Sequence, residues 1–221
     1  MKRLFKFLSM VLVVLVLLVI CCGGYFAYGF VDAITAADDL KTKADSIIAT
    51  GLDGSSLGEE RYRQLLMVQD PQFEHHNGVD ITTPGAGVTT ISQSLAKRLG
   101  FEKFTPGIGK IKQTGYALGL ESQLSKEQIM ALWLDTLEMG QGPNGWVTGF
   151  HRMSEASYGS PPSVIREDQF FTLLAVLIAP GRYKIGSEDE ALSNRVERIR
   201  RLVYGECVPI DNSDVWLEGC R

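Results

Sequence analysis

The sequence predicts an all-α domain held behind one N-terminal transmembrane helix. Three observations predict it. An uncharged run of 25 residues, Phe7–Val31, follows Lys2, Arg3 and Lys6, and that is long enough to span a bilayer as a helix. Downstream, apolar residues recur at helical spacing in successive segments divided by Gly- and Pro-rich breaks. No segment alternates apolar and polar residues as a half-buried strand does.

A chain of 221 residues gives room for an anchor and one domain with its own core. A formal net charge of −4 and a pI near 5.5 leave no basic surplus for a polyanionic partner, so no nucleic acid is expected as a partner. The sequence shows no internal repeat and no low-complexity tract.

The elements follow in order. Residues 1–31 read as a basic start and a membrane anchor, with the positive flank in the cytoplasm and the remainder outside it. Ala27-Tyr28-Gly29 offers a small-x-small site, which would make the run a cleaved signal; its length favours a retained anchor. Cys21 and Cys22 then read as membrane-buried thiols. Residues 32–58 read as stalk and linker, with a helix over Thr35–Thr50 and a flexible Gly51–Gly58. The domain is expected over 59–205. Glu59–Val68 reads as its first helix. Ile91, Leu95 and Leu99 share one face of the next, which Gly100 ends. Lys110–Glu121 follows, where Gly115 and Gly119 lower helix propensity and imply close packing against a neighbour. Ser125 and Gln128 fit a capping box, opening a mostly apolar, central helix over Lys126–Met139. GQGPNG (140–145) breaks it. His151–Tyr158 reads as a short helix, and Glu167–Ala179 as a buried one stopped by Pro180. In the last helix Leu192, Val196, Ile199 and Val203 form a stripe, with Arg and Glu opposite and Gly205 as the stop. Residues 206–221 form a tail. There Cys207 and Cys220 flank a short polar segment; outside the cytoplasm a disulfide between them is plausible and would add about 3 kcal/mol, with two free thiols as the alternative.

The chemistry is densest in Val68–Lys97. Gln69, Asp70, His75 and His76 lie beside the apolar run Leu65–Val68. Gly85 and Gly87 allow a tight turn or close approach to a ligand. Thr89, Thr90, Ser92 and Gln93 cluster at a helix start, where free N–H groups can hold an anion. A capped helix after a loop is the competing structural explanation. Two adjacent His without a third ligand at suitable spacing are a weak metal signal.

These motifs resemble the peptidoglycan glycosyltransferases of glycosyltransferase family 51, found in monofunctional transglycosylases and class A penicillin-binding proteins. The family's Glu-Asp-x-x-Phe-x-x-His-x-Gly is matched by Gln69, Asp70, Phe73, His76 and Gly78. Its Gly-Gly-Ser-Thr-Ile-Thr-Gln-Gln followed by Lys is matched by Gly87–Ser94 and Lys97. Its Arg-Lys-x-x-Glu falls on Gly109, Lys110 and Gln113. Ser125–Asp135 and Ile178–Tyr183 are similar to two later blocks. The resemblance implies a lysozyme-like helical fold at the outer face of the cytoplasmic membrane, working in cell-wall synthesis. It implies lipid II and the nascent glycan strand as substrates, membrane lipid as a neighbour and other cell-wall synthesis proteins as partners. The implied reaction joins a sugar 4-hydroxyl to an anomeric carbon and releases a lipid pyrophosphate. No resident cofactor is implied, apart from a divalent metal at the substrate pyrophosphate.

By the same resemblance Gln69 occupies the general-base position and Gln113 the second carboxylate position. An amide accepts no proton near neutral pH, and loss of a general base costs about 10²- to 10⁴-fold in rate. The motif arginine is Gly109, and the Gly78–Gly87 segment is short for the family. Asp70, Glu74 and Asp80 are the carboxylates near enough in sequence to substitute. The substrate-binding positions are Phe73, His76, Gly78, Thr90, Ser92, Gln93, Lys97 and Lys110. Two functions follow as expectations: a glycan polymerase with rearranged catalytic groups, or a catalytically inactive binder of lipid II and glycan.

Overall fold

A computed structural model describes residues 2–221, with side chains from Phe5 onward. The side chains of Lys2 and Arg3, two of the three basic residues on which the orientation of the anchor rests, lie outside the described residues.

Helix α1 runs unbroken over Lys2–Ala49, about 72 Å at 1.5 Å per residue. Its first part, 5–24, touches nothing and exposes its apolar side chains. That length is about 30 Å, the thickness of a bilayer's hydrocarbon, and α1 is long and apolar enough to cross a membrane. The second part serves the domain. Ala33, Ala37 and Ala44 are buried there, so the stretch read as a stalk contributes to the core.

Helix α4 (Gly109–Gln123) lies along this second part. The close packing expected of Gly115 and Gly119 is present. A Cβ on Gly115 would stand 2.1 Å from the Phe26 carbonyl oxygen, and one on Gly119 2.7 Å from the Ala33 Cβ. Only glycine lets the two backbones approach this far. Lys112 clamps the same seam: its Nζ reaches Asp32 at 2.8 Å and the Gly100 carbonyl at 2.9 Å, and lies over the Tyr28 and Phe101 rings.

The remaining helices are α2 (Glu59–Gln69), α3 (Ile91–Leu99), α5 (Lys126–Thr136), α6 (Phe150–Tyr158), α7 (Glu167–Val176) and α8 (Glu190–Val203). Helix α5 is central as expected, with Ile129–Leu134 buried on all sides. Ser125 and Gln128 form the expected capping box. Thr90 and Gln93 form a second, at the start of α3.

Two further readings need correction. Helix α5 stops at Thr136, and the chain turns into a hairpin of β1 (Glu138–Gly142) and β2 (Gly145–Thr148), antiparallel and bulged near Met139. Two strands this short, rich in glycine, carry no alternation for periodicity to detect. The absent Cβ of Gly140 leaves room for the Pro180 carbonyl, in the segment that follows α7. Secondly, Arg195 on α8 lies on the buried side with Leu192 and Ile199, only 4% exposed, rather than on the solvated face.

The C-terminal tail folds back against α8 and the 83–87 turn. Cys207 and Cys220 are joined by a disulfide. The Asp214 carboxylate ties the loop internally, accepting from the Ile210, Glu218 and Gly219 amides.

A candidate ligand cleft around Gln69

Helix α2 ends at Gln69, and the next residue turns inward. The Asp70 carboxylate is fully buried and accepts the Ile91 amide at 2.9 Å, which fixes the start of α3. It also meets His76 Nε2 at 3.0 Å. His76 Nδ1 accepts from the Gly78 amide at 3.0 Å, so Nε2 carries the proton given to Asp70. Phe73 lies in the core, edge-on to the His76 ring. Gly78 adopts a φ of 96°, and its carbonyl accepts from Thr90 Oγ1 at 2.7 Å. The first motif is therefore a rigid frame that couples α2 to α3.

The second motif continues it. Ser92 is fully buried and donates to Glu121, which in turn pairs with Lys126 at 2.9 Å. Gln93 is buried and accepts the Thr90 amide and Lys110 Nζ through Oε1. Its Nε2 donates to Thr114 at 3.1 Å. Gln113, on α4, donates its Nε2 to the Gln93 carbonyl at 2.6 Å, while its Oε1 is buried without a partner.

Beside this frame opens a cleft of about 470 Å³. Gln69 and Thr90 line it, with Thr89, Trp133, Arg195 and Val215. Of the residues singled out from the sequence, Gln69, Gly85, Gly87, Thr89 and Thr90 line the cleft. Lys110 stands at its margin, with Nζ 2.9 Å from Thr89 Oγ1. Burial, and then repulsion from Lys97, bring the Lys110 ammonium down to about 8. Lys97 is exposed, over the Phe104 ring. Asp70, Phe73, His76, Gly78, Ser92, Gln93 and Gln113 form the frame behind.

Among the described residues no carboxylate lines this cleft. Glu74 accepts the Tyr62 hydroxyl and lines a different cavity, of about 640 Å³. Asp80 accepts the Thr82 and Thr83 amides at 2.9 and 3.2 Å. Burial raises its carboxyl, but hydrogen bonds from Thr83 and Thr82 outweigh this and hold it at about 2, far too acidic for a base working at neutral pH. No group of three or more His, Cys, Asp or Glu among the described residues could hold a metal ion. Without carboxylates the cleft does not fit a protein-held divalent cation.

Arg195 and Val215 also line the cleft, and no motif in the sequence points to either. Arg195 carries a signal, since 192, 195 and 199 share a helical face. It is buried, with Nε and Nη1 unpartnered, and burial brings it down to about 10. Val215 carries none, because only the folded chain brings the tail to the cleft.

The transglycosylase family model matches residues 52–203. A biosynthetic peptidoglycan transglycosylase of Shigella boydii serotype 4 (strain Sb227) and one of Escherichia coli (strain K12 / DH10B) are each 27% identical over 153 residues. Each alignment covers 63% of this chain and 62% of the relative, so the chain spans less than two thirds of these relatives' length. With well over half of its length matched, including both motifs that frame the cleft, the chain belongs to the transglycosylase family.

Proposed function

We propose that this membrane-anchored transglycosylase-family protein binds lipid II and the nascent glycan strand without polymerising them. It then serves cell-wall synthesis as a regulator or scaffold, in contact with other synthesis proteins. One observation carries the reading: Gln69 lines a cleft that, among the described residues, no carboxylate lines. The family's reaction needs a base for the attacking hydroxyl, and an amide takes no proton. Asp70 is enclosed by its frame, Glu74 lines another cavity and Asp80 is too acidic.

Binding chemistry remains. Lys110 stands at the cleft margin, Thr89 and Thr90 offer hydroxyls, and Arg195 faces in without a full set of partners. Such groups suit a pyrophosphate. The basic residues before the anchor support placing the domain on the outer side of the membrane.

The test uses full-length protein in detergent with fluorescent lipid II. The wild type is expected to bind it, to lose about tenfold in affinity on Lys110→Ala and to make no glycan with or without divalent metal. Absence of binding would sink the reading. Glycan made by the wild type and lost with Asp80→Asn or Glu74→Gln would establish the polymerase instead.

A further inference from the structure

The turn at 83–87 supplies part of the cleft's wall through Gly85, Ala86 and Gly87. Its long-range hydrogen bonds, among the described residues, all run to the C-terminal tail. The Gly85 amide donates to the Asp211 carbonyl at 2.8 Å, and the Gly87 amide to the Asn212 carbonyl at 2.7 Å. Asn212 returns two bonds, its Nδ2 donating to the Thr83 and Gly87 carbonyls, each at 3.0 Å. The two glycines also make room for the tail. A Cβ on Gly85 would lie 2.6 Å from Pro209 Cγ, and one on Gly87 2.6 Å from Val215 Cγ1. Both have positive φ, at 77° and 70°. The space these glycines leave is thus filled by the protein's own C-terminus.

The tail reaches this position as a closed loop. The Cys207–Cys220 disulfide shuts it. Arg198 Nη1 anchors it to α8 through the Trp216 carbonyl at 2.9 Å and Glu218 at 2.7 Å. Arg201 Nη1 reaches the Cys220 carbonyl at 3.0 Å. From this loop Val215 enters the cleft beside Gly87 and Arg195. A disordered tail would pay its ordering entropy at each closure; a cross-linked one is already restricted.

We propose that the disulfide-closed loop 207–220 is a built wall of the ligand cleft. It holds the 83–87 turn in place, and Val215 sets the clearance for the sugar–pyrophosphate ligand. The identity of that ligand rests on the functional reading above, whereas the wall itself does not.

Two readouts on the full-length protein separate these claims. The first is amide hydrogen exchange without ligand, comparing the wild type with Asn212→Ala and with the Cys207→Ser, Cys220→Ser double variant. Gly85 and Gly87 are expected to exchange at least about tenfold faster in both variants, with the α5 amides unchanged. Unchanged exchange at Gly85 and Gly87 would overturn the wall. Asn212→Ala keeps the disulfide, so a general unfolding of the double variant does not decide the outcome. The second readout is lipid II affinity of Val215→Trp, which narrows the cleft. Loss of about tenfold or more is expected while Gly85 and Gly87 stay protected; unaltered affinity would overturn the role of Val215. If the wild type binds no lipid II but its glycine amides are protected through the tail, the functional reading fails and the wall stands.

Discussion

The Gln113 side-chain amide donates to the Gln93 backbone carbonyl across 2.6 Å, joining α4 to α3 in the interior. A carboxylate at this position has no proton to give and would face a carbonyl oxygen. The donor half of the amide is therefore used here, while its Oε1 is buried without a partner.

Gln113→Glu is expected to destabilise the protein by about 1–3 kcal/mol, the cost of a buried donor bond replaced by an unpaired acceptor. Burial raises the pKa of the new carboxyl in the folded state. The folded state then binds the extra proton more strongly than the unfolded chain does. The variant is thus nearest to wild type below about pH 4.3 and loses stability as the pH rises above it. Urea denaturation at several pH values measures this, and a pH-independent difference would contradict it.

On the proposed reading, Lys110 makes ligand binding depend on pH. Its ammonium titrates near 8 because of burial and, secondly, Lys97. Affinity for lipid II is expected to fall as the pH rises through 8, since the neutral amine offers no charge to a pyrophosphate. Lys97→Ala removes one source of repulsion and should move that midpoint upward. Stability has the opposite sense: between about 8 and 10.4 the unfolded chain binds more protons at this site, so stability rises with pH there. Binding titrations from pH 6.5 to about 9.5, in the Lys110 window, check the first part, and a flat profile would contradict it.

The seam between α1 and α4 predicts a sharp contrast among glycines. Gly115→Ala places a methyl group 2.1 Å from the Phe26 carbonyl oxygen, so the helices must separate. A loss of about 1–3 kcal/mol is expected, as for other overpacked sites. Gly23→Ala meets nothing within 4 Å and should leave the melting temperature of detergent-solubilised protein unchanged. Equal melting temperatures for the two variants would contradict the close approach.

Much of this arrangement is legible in local sequence. The Ser125–Gln128 capping box, the central α5 and the Gly115–Gly119 packing all follow from spacing within one helix. The motifs also locate Gln69 and Thr90, which reach the cleft. What local pattern does not carry is direction. Ser92 and Gln93 have the polar chemistry of a ligand site but turn into buried hydrogen bonds. Gly85 and Gly87 suggest close approach by some group, and that group is Pro209 and Val215, more than 120 positions away. Arg195 stands between these cases, since its helical register points inward while its charge suggests solvent.

The most direct measurement is glycan formation from lipid II by the wild type beside Gln69→Glu, at matched protein concentration. The account predicts no polymer from the wild type and detectable polymer from the variant, because the cleft, Lys110 and Arg195 are in place and residue 69 lacks only its carboxylate. Restoring one general base is worth about 10²- to 10⁴-fold. Polymer from the wild type at a rate equal to the variant's would contradict the account, since the proton would then leave through a group other than residue 69.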